Sequence, residues 1–158
     1  MKVETIVVGP LQTNCYVVSD ENGNGIIIDP GFMDWLIAKK LPGLKIKYII
    51  LTHGHFDHFL AADKLRNLTG AKIVISKIDA EYLMNPEKSN TDWFEVYKKT
   101  VLVPDILITE KDILDCGDLQ ISFIETTGHT EGSVCVKIGD CLFTGNTLFH
   151  GDIGRTDM

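Results

Sequence analysis

Short apolar runs separated by polar turns dominate the chain, and they predict an alternation of strands and helices. Apolar segments predict strands at residues 3–8, 14–19, 25–29, 45–51, 72–76, 119–126, 133–138 and 140–144. Helical spacing predicts helices at 33–40, 57–68 and 78–84, and Gly70 is the end signal of the second. The stretch 85–104 mixes polar residues with Trp93, Phe94 and Tyr97, and its pattern assigns no element.

The order of these elements indicates the fold class. Strand–helix–strand alternation in the first part gives way to hairpins in the second. This order predicts helices packed outside sheets, an α/β layered architecture. At 158 residues the chain has the length of one domain, and we expect residues 1–158 to form it.

Composition and charge limit the classes of binding partner that we expect for this protein. Apolar residues make up 44% and charged residues 23%, which is typical of a soluble globular protein. The formal net charge of −7 disfavours a nucleic-acid partner. No apolar stretch approaches the ~18 residues that span a bilayer, so we expect no membrane partner. The first residues lack a signal-peptide pattern, and we expect a cytoplasmic location.

The four cysteines show no Cys-x-x-Cys spacing, and three of them lie in apolar segments. This favours buried thiols in a reducing compartment over a disulfide or a thiolate zinc site. The four are Cys15, Cys116, Cys135 and Cys141.

Histidines provide the strongest chemical signal. Three of the five lie within six residues, in a His-Gly-His-Phe-Asp-His run that directly follows a predicted buried strand. Alternate residues of an extended segment point the same way, so His53, His55 and Asp57 can face one point. His58 then faces a neighbouring point. Because imidazole is the commonest metal ligand, this run predicts a metal site.

A further ligand must come from elsewhere in the sequence, and His129 is the best candidate because it lies in a Gly-His-Thr turn between two predicted strands. Three imidazoles on zinc, with one position open, lower the pKa of bound water to ~7. Asp57 could accept a proton from such a water, or bind a second metal together with His58. His150, alone in a loop, is expected to be a surface residue.

Several motifs together resemble the metallo-β-lactamase superfamily, and look most like its glyoxalase II branch, the hydroxyacylglutathione hydrolases and their small bacterial relatives. The first motif is His-x-His-x-Asp-His after an apolar strand. The others are the segments 11–16, 28–31, 126–133, 143–149 and 154–157. The resemblance spans nearly the whole chain.

By resemblance, the fold is an αββα sandwich with metals at one edge between the sheets. Its first metal would be held by His53, His55 and His129, and its second by Asp57 and His58. A family aspartate that bridges the two metals corresponds to position 146, and a last histidine lies further along. The implied reaction is hydrolysis of a small-molecule acyl substrate, with the metals stabilising the developing oxyanion.

Two departures fall mainly on the second metal. Position 146 holds Asn146, a neutral and poorer ligand for a hard dication. The chain stops at Met158, where family members continue through a helix and strand that carry the last histidine. We therefore expect a second half that is truncated, one firmly bound zinc and a second site that is weak or empty; iron or manganese are alternatives. The shortened sheet would expose apolar surface, so we also expect a homo-oligomer or a strand-exchanged dimer.

Three functions remain open at this point. The first is a zinc-dependent hydrolase of thioester or related acyl bonds, impaired by Asn146 and the short C-terminus. The second is a catalytically inactive metal-binding variant or fragment. The third, which is weaker because it relies on a carboxylate at position 146, is a single-iron persulfide dioxygenase.

Overall fold

A computed structural model describes residues 1–93 and 100–157, and its first layer of strands is a mixed six-stranded sheet. Neighbouring strands follow sequence order across this sheet. The first three pair antiparallel, and the third to the sixth pair parallel. The strands are β1 (Lys2–Val8), β2 (Thr13–Ser19), β3 (Asn24–Ile28), β4 (Lys45–Ile50), β5 (Lys72–Ser76) and β6 (Ile106–Ile108).

A second, four-stranded antiparallel sheet packs against the first, in the order β10-β9-β8-β7. A two-stranded hairpin follows it. The strands are β7 (Ile113–Cys116), β8 (Leu119–Glu125), β9 (Val134–Ile138), β10 (Cys141–Phe143), β11 (Leu148–Phe149) and β12 (Asp152–Ile153).

Helices cover the other face of the first sheet. They are α1 (Asp34–Ala38), α2 (Phe56–Phe59) and α3 (Ala62–Thr69). Two 3₁₀ helices, Asp79–Met84 and Thr91–Trp93, lie between β5 and β6 in sequence. The resulting layers agree with the α/β layered architecture that the pattern predicts.

The central strands are continuous apolar runs because both of their faces are buried. In β4, Ile49 faces the helices and Ile50 faces the second sheet, and neither is accessible to solvent. Strand β8 instead alternates, with Leu119, Ile121 and Phe123 buried and the residues between them turned outward. Its second face has no covering layer among the described residues, so polar positions are tolerated there.

The predicted helix at 57–68 is wrong as a single element, because it is divided between α2 and α3. The backbone N–H of Ala61 donates to the carbonyl of Pro30 at 3.0 Å instead of continuing the ladder of α2. A contact with the turn after β3 therefore breaks the helix. Leu68, the last residue of the predicted helix, is 63% exposed. The end signal is confirmed, since Gly70 caps α3 with φ 75°.

Other differences concern short elements. The sequence pattern does not identify β6, β7 or the β11–β12 hairpin, which are too short to show a period. The predicted helix at 78–84 is a 3₁₀ helix. Within the unassigned stretch, Trp93 ends a 3₁₀ turn, whereas Phe94 and Tyr97 lie outside the described residues.

All four cysteines are free, as predicted. Three are buried, and Cys141 is half-buried at the edge of the second sheet. They pack as small apolar side chains.

The outer face of the second sheet carries exposed apolar side chains. Ile113 is 57%, Ile124 44% and Leu142 49% accessible to solvent. Association of the chain with itself through such a surface stays a prediction. No helix within residues 1–93 and 100–157 is long and apolar enough to cross a membrane.

The core between the helices and the first sheet can be tested by its contribution to the free energy of unfolding. Ile49→Ala should lower the free energy of unfolding by about 2–5 kcal/mol, because the lost methyl groups leave a cavity at a fully buried site. Leu142→Ala, at an exposed position, should change it by about 0.5 kcal/mol or less. Urea denaturation of the two variants measures both values; equal losses would contradict the assignment of Ile49 to the core.

Candidate metal centre

The candidate ligands come from loops at one edge of the two sheets. His53 and His55 lie in the loop that links β4 to α2, and Asp57 and His58 lie within α2. His129 lies between β8 and β9. The loop after β4 lies at the edge where the carboxyl ends of the parallel strands meet, and the β8–β9 loop of the antiparallel sheet lies against it.

Three imidazole rings converge at this edge. One ring nitrogen from each of His53, His55 and His129 lies within 4.8 Å of the other two. The Nδ1 atom of His55 is 2.9 Å from Nε2 of His129. The three ring centroids are 4.7 to 4.9 Å apart in pairs. This set of nitrogen donors can hold a metal ion, as the sequence predicts.

A hydrogen-bonded chain fixes the tautomer of His53. The hydroxyl of Thr52 donates to Asp29 Oδ2 at 2.7 Å, and so it accepts from Nδ1 of His53 at 3.1 Å. The proton on Nδ1 leaves Nε2 with a lone pair. That atom is buried, and no hydrogen-bond partner for it lies within the described residues. Such an atom is costly unless a ligand uses it, which fits a bound cation.

The orientation of His129 is fixed in a similar way. Its Nδ1 donates to the backbone carbonyl of Arg155 at 2.9 Å, so Nε2 carries the lone pair that faces the other rings. Asn146 lies beside the same atom, with Nδ2 at 3.1 Å from Nε2 of His129. The amide thus lies at the metal centre, where the resemblance puts an aspartate.

Asp57 and His58 form a second cluster with Asp29, next to the three rings. The ring of His58 lies 4.1 Å from that of His53. Its Nδ1 is 2.9 Å from Asp29 Oδ2, and its Nε2 is 3.3 Å from Asp57 Oδ2. Thr13 donates to the same oxygen of Asp57 at 2.8 Å. The structure therefore places all six sequence-predicted site residues around one edge.

Burial and neighbouring charges shift the pKa values of the site histidines in opposite directions. Burial lowers the pKa of His53, His55 and His129, that of His55 to about 4, so these rings are neutral and ready to bind a metal at pH 7. Burial opposes the charge on His58, but Asp29 and Asp57 outweigh it and raise the pKa of His58 to about 10. Burial also opposes ionisation of Asp57, yet His58 and Thr13 hold its pKa at about 2.

A cavity of about 480 Å³ opens beside the second cluster. Its lining includes the polar side chains of Asp57, His58 and Asn146 and the apolar side chains of Leu11 and Phe149. Both of these apolar side chains are exposed. His150 is exposed as predicted, although it also lines this cavity. A small molecule in this cavity would therefore contact Asp57, His58 and Asn146, which adjoin the three-histidine set.

Sequence reasoning missed three residues that support the ligands: Thr13, Thr52 and Asp29. From the sequence, Asp29 is only the last residue of the predicted strand 25–29 and a member of the segment 28–31 that resembles the family. A signal for it existed, because an acidic residue directly after β3 lies at the same sheet edge as the histidines after β4. Thr13 and Thr52 carry no comparable signal.

Comparison of the sequence with known proteins places these features in context. A sequence model of the metallo-beta-lactamase superfamily matches residues 8–158. A probable metallo-hydrolase, YqgX of Bacillus subtilis, is 33% identical, and the match covers 100% of this chain and 76% of that protein. A hydroxyacylglutathione hydrolase, GloC of Haemophilus influenzae, is 31% identical over 100% of this chain and 77% of its own length.

Solved structures agree in fold. The BLEG-1 B3 metallo-beta-lactamase superimposes with a TM-score of 0.92 at 31% identity, covering 99% of this chain and 78% of that one. TTHA1623 in a di-iron-bound form superimposes with a TM-score of 0.78 at 27% identity, covering 98% of this chain and 77% of that one. These likenesses confirm the fold class expected from the sequence motifs.

The lowered pKa values predict a pH dependence for the metal-free protein. In the unfolded chain these histidines titrate near pH 6.5, but His55 in the folded protein does so near 4. Between these values the unfolded chain binds more protons, so stability falls as the pH falls. His58, with its raised pKa, contributes stability that is present below pH 6.5 and lost as the pH rises toward 10. Because His55 and His58 change stability with pH in opposite directions, a variant of His55 alone isolates its effect.

The variant His55→Gln should lose less stability between pH 7 and 5 than the parent, by roughly 1–2 kcal/mol. Denaturant unfolding in the presence of a chelator measures this difference. His150→Gln, at an exposed position, is the control and should follow the parent. A His55→Gln profile parallel to that of the parent would contradict the lowered pKa.

Proposed function

Because the chain belongs to the metallo-β-lactamase superfamily, we propose that it is a metal-dependent hydrolase that cleaves a thioester or a related acyl bond. The observation that carries this proposal is the convergence of His53, His55 and His129 beside an open cavity. The rings of His53 and His129 are each held in the tautomer that directs the lone pair of Nε2 toward the other imidazoles. The relatives YqgX and GloC, named as hydrolases, support the reaction class.

A metal at this point would polarise the acyl carbonyl and lower the pKa of an attacking water. The chain itself supplies the acid–base group. Asp57 is ionised at pH 7, since its pKa lies at about 2. Its contacts with Thr13 and His58 both use Oδ2, so these two residues orient the carboxylate. In that orientation Asp57 can hold a water, accept its proton as the water attacks the acyl carbonyl, and pass that proton to the thiolate or alkoxide that leaves.

The cavity suggests how the substrate binds. Leu11 and Phe149 are exposed and offer apolar surface for an acyl group, while Asp57 and His58 in the same lining are buried. An acyl group held by these apolar side chains would have its carbonyl near Asp57 and His58. We propose a small-molecule acyl substrate for this cavity.

Zinc is the metal we propose, since three imidazole nitrogens and a neighbouring carboxylate form a donor set typical of zinc hydrolases. Iron also fits this set, as the di-iron form of TTHA1623 illustrates for that protein, and manganese is a further alternative. The second site is weaker because Asn146 contributes no charge there and Asp57 and His58 neutralise each other.

Metal content tests this difference between the two sites. The purified protein should retain about one zinc per chain after dialysis, because only the three-histidine set has good donors. Asn146→Asp should bind a second ion more tightly, since the added carboxylate faces the same point. Elemental analysis after dialysis measures both, and two firmly bound ions in the parent would contradict the proposal.

Hydrolysis tests the reaction. The zinc-loaded parent should turn over S-lactoylglutathione or a simple acyl thioester slowly, and Asn146→Asp should raise kcat/KM by about tenfold, equivalent to about 1.4 kcal/mol of transition-state stabilisation. His129→Gln should lose the activity because it removes one of three ligands. Leu142→Ala is the control, because Leu142 is exposed on the outer face of the second sheet and does not line the cavity.

The second candidate is a metal-binding protein without catalysis, and Asn146 favours it. An amide is nearly the same shape as a carboxylate, so it preserves packing while removing charge. If zinc binds, but neither the parent nor Asn146→Asp hydrolyses thioesters, esters or a chromogenic cephalosporin, this candidate replaces the hydrolase. Iron-dependent oxygen consumption with a persulfide would instead favour a dioxygenase.

A further inference from the structure

Asp79 is a fully buried acidic residue that lies outside the proposed ligand set. It is the first residue of the 3₁₀ helix Asp79–Met84, and none of its side chain is accessible to solvent. Its carboxylate accepts three hydrogen bonds. The donors are the backbone N–H of Gly54 at 3.0 Å, the hydroxyl of Thr130 at 2.7 Å and the backbone N–H of Gly132 at 2.8 Å.

These three donors belong to the two loops that carry the imidazoles. Gly54 lies between His53 and His55, and Thr130 directly follows His129. The two loops are 74 residues apart in sequence, measured from His55 to His129. One carboxylate therefore joins both halves of the three-histidine set without touching any of the three rings.

The packing around Asp79 leaves no room for the loops to move closer. A Cβ on Gly54 would lie 2.3 Å from Cβ of Tyr82, in the same 3₁₀ helix. A Cβ on Gly132 would lie 2.7 Å from both the backbone nitrogen and Oδ1 of Asp79. Gly54 and Gly132 thus approach this helix without a side chain, which is what lets a short aspartate reach their N–H groups.

A second hydrogen-bonded pair fixes the direction of the Thr130 hydroxyl. The hydroxyl of Ser133 accepts from the backbone N–H of Thr130 at 3.0 Å, and it lies 2.6 Å from Oγ1 of Thr130. Since Thr130 donates to Asp79, it accepts from Ser133. All three side chains are buried, so the network is shielded from water.

We propose that Asp79 is a positioning residue of the metal centre, which holds the loop of His53 and His55 at a fixed distance from His129 and thereby sets the affinity for the metal. This rests on the proposed metal site but not on the proposed reaction. Supporting partners of this kind change metal affinity by about 10- to 100-fold when removed.

The experiment compares variants that remove single parts of this network. In Asp79→Asn, one oxygen can still accept from Gly54 and Thr130, but the amide group would face the N–H of Gly132, donor against donor. In Thr130→Val the shape is retained and the hydroxyl is lost, whereas Thr130→Ser keeps the hydroxyl.

The matched control is Asp20→Asn. Asp20 also accepts several hydrogen bonds, from the backbone N–H groups of Asn22, Asn24 and Asp118. It lies at the end of β2, whereas Thr13, which contacts Asp57, lies at the start of that strand. This variant should lower the melting temperature, and leave zinc affinity within about twofold.

Zinc affinity is measured by competition with a chromophoric chelator, and site geometry by the visible absorption of the cobalt-substituted protein. We expect Asp79→Asn to weaken zinc binding by about tenfold or more and to alter the cobalt spectrum. Thr130→Val should weaken binding less, and Thr130→Ser should match the parent. The circular dichroism of the metal-free variants should remain that of the parent.

Unchanged zinc affinity and cobalt spectra in both Asp79→Asn and Thr130→Val would overturn the proposal. If Asp79→Asn does not fold, the comparison of Thr130→Val with Thr130→Ser decides, because a merely structural role would not follow the hydroxyl. A parent that binds no zinc or cobalt overturns it as well. If the parent protein binds zinc but hydrolyses none of the substrates, only the proposed reaction is contradicted, and the positioning role of Asp79 is not.

Discussion

The parallel pairing of β3 with β4 is the constraint on which the site depends. It places Ile28 opposite Ile50, so that both strands end at one edge and Asp29 lies next to Thr52. Asp29 adopts φ 51°, a conformation that aspartate tolerates better than most residues, and its carboxylate accepts from both the backbone and the hydroxyl of Thr52. The orientation of His53 follows from that contact, and the other ligands are arranged around it.

Charge at this edge is partly compensated before any ligand arrives. Asp29, Asp57 and His58 are nearly inaccessible, and their opposite charges lie within about 3 Å of each other. Buried charges of this kind are tolerated only when paired. Asp79 is treated differently, because its burial is compensated by N–H and O–H donors rather than by a cation. The acidic groups near the histidines are thus stabilised in two distinct ways.

How much of this the sequence could predict depends on how local each contact is. His53, His55, Asp57 and His58 lie in one short run, so their spacing alone revealed a site. His129 needed its flanking motif. The roles of Asp79 and Thr13 depend on contacts with residues far away in sequence, and single Asp or Thr residues are too common to indicate them. The division of the helix at 57–68 has the same origin, since the carbonyl of Pro30 that captures Ala61 is invisible to helical periodicity.

The three rings also come from loops that belong to different sheets, one after β4 and one between β8 and β9. An ion shared among them would act as a cross-link between the two sheets, closing a long stretch of chain by coordination instead of a covalent bond. Since the unfolded chain cannot form this cross-link, each bound ion draws the equilibrium toward the native state. Chelation would therefore loosen the sandwich itself, so that the supply of metal would set how long the folded protein survives.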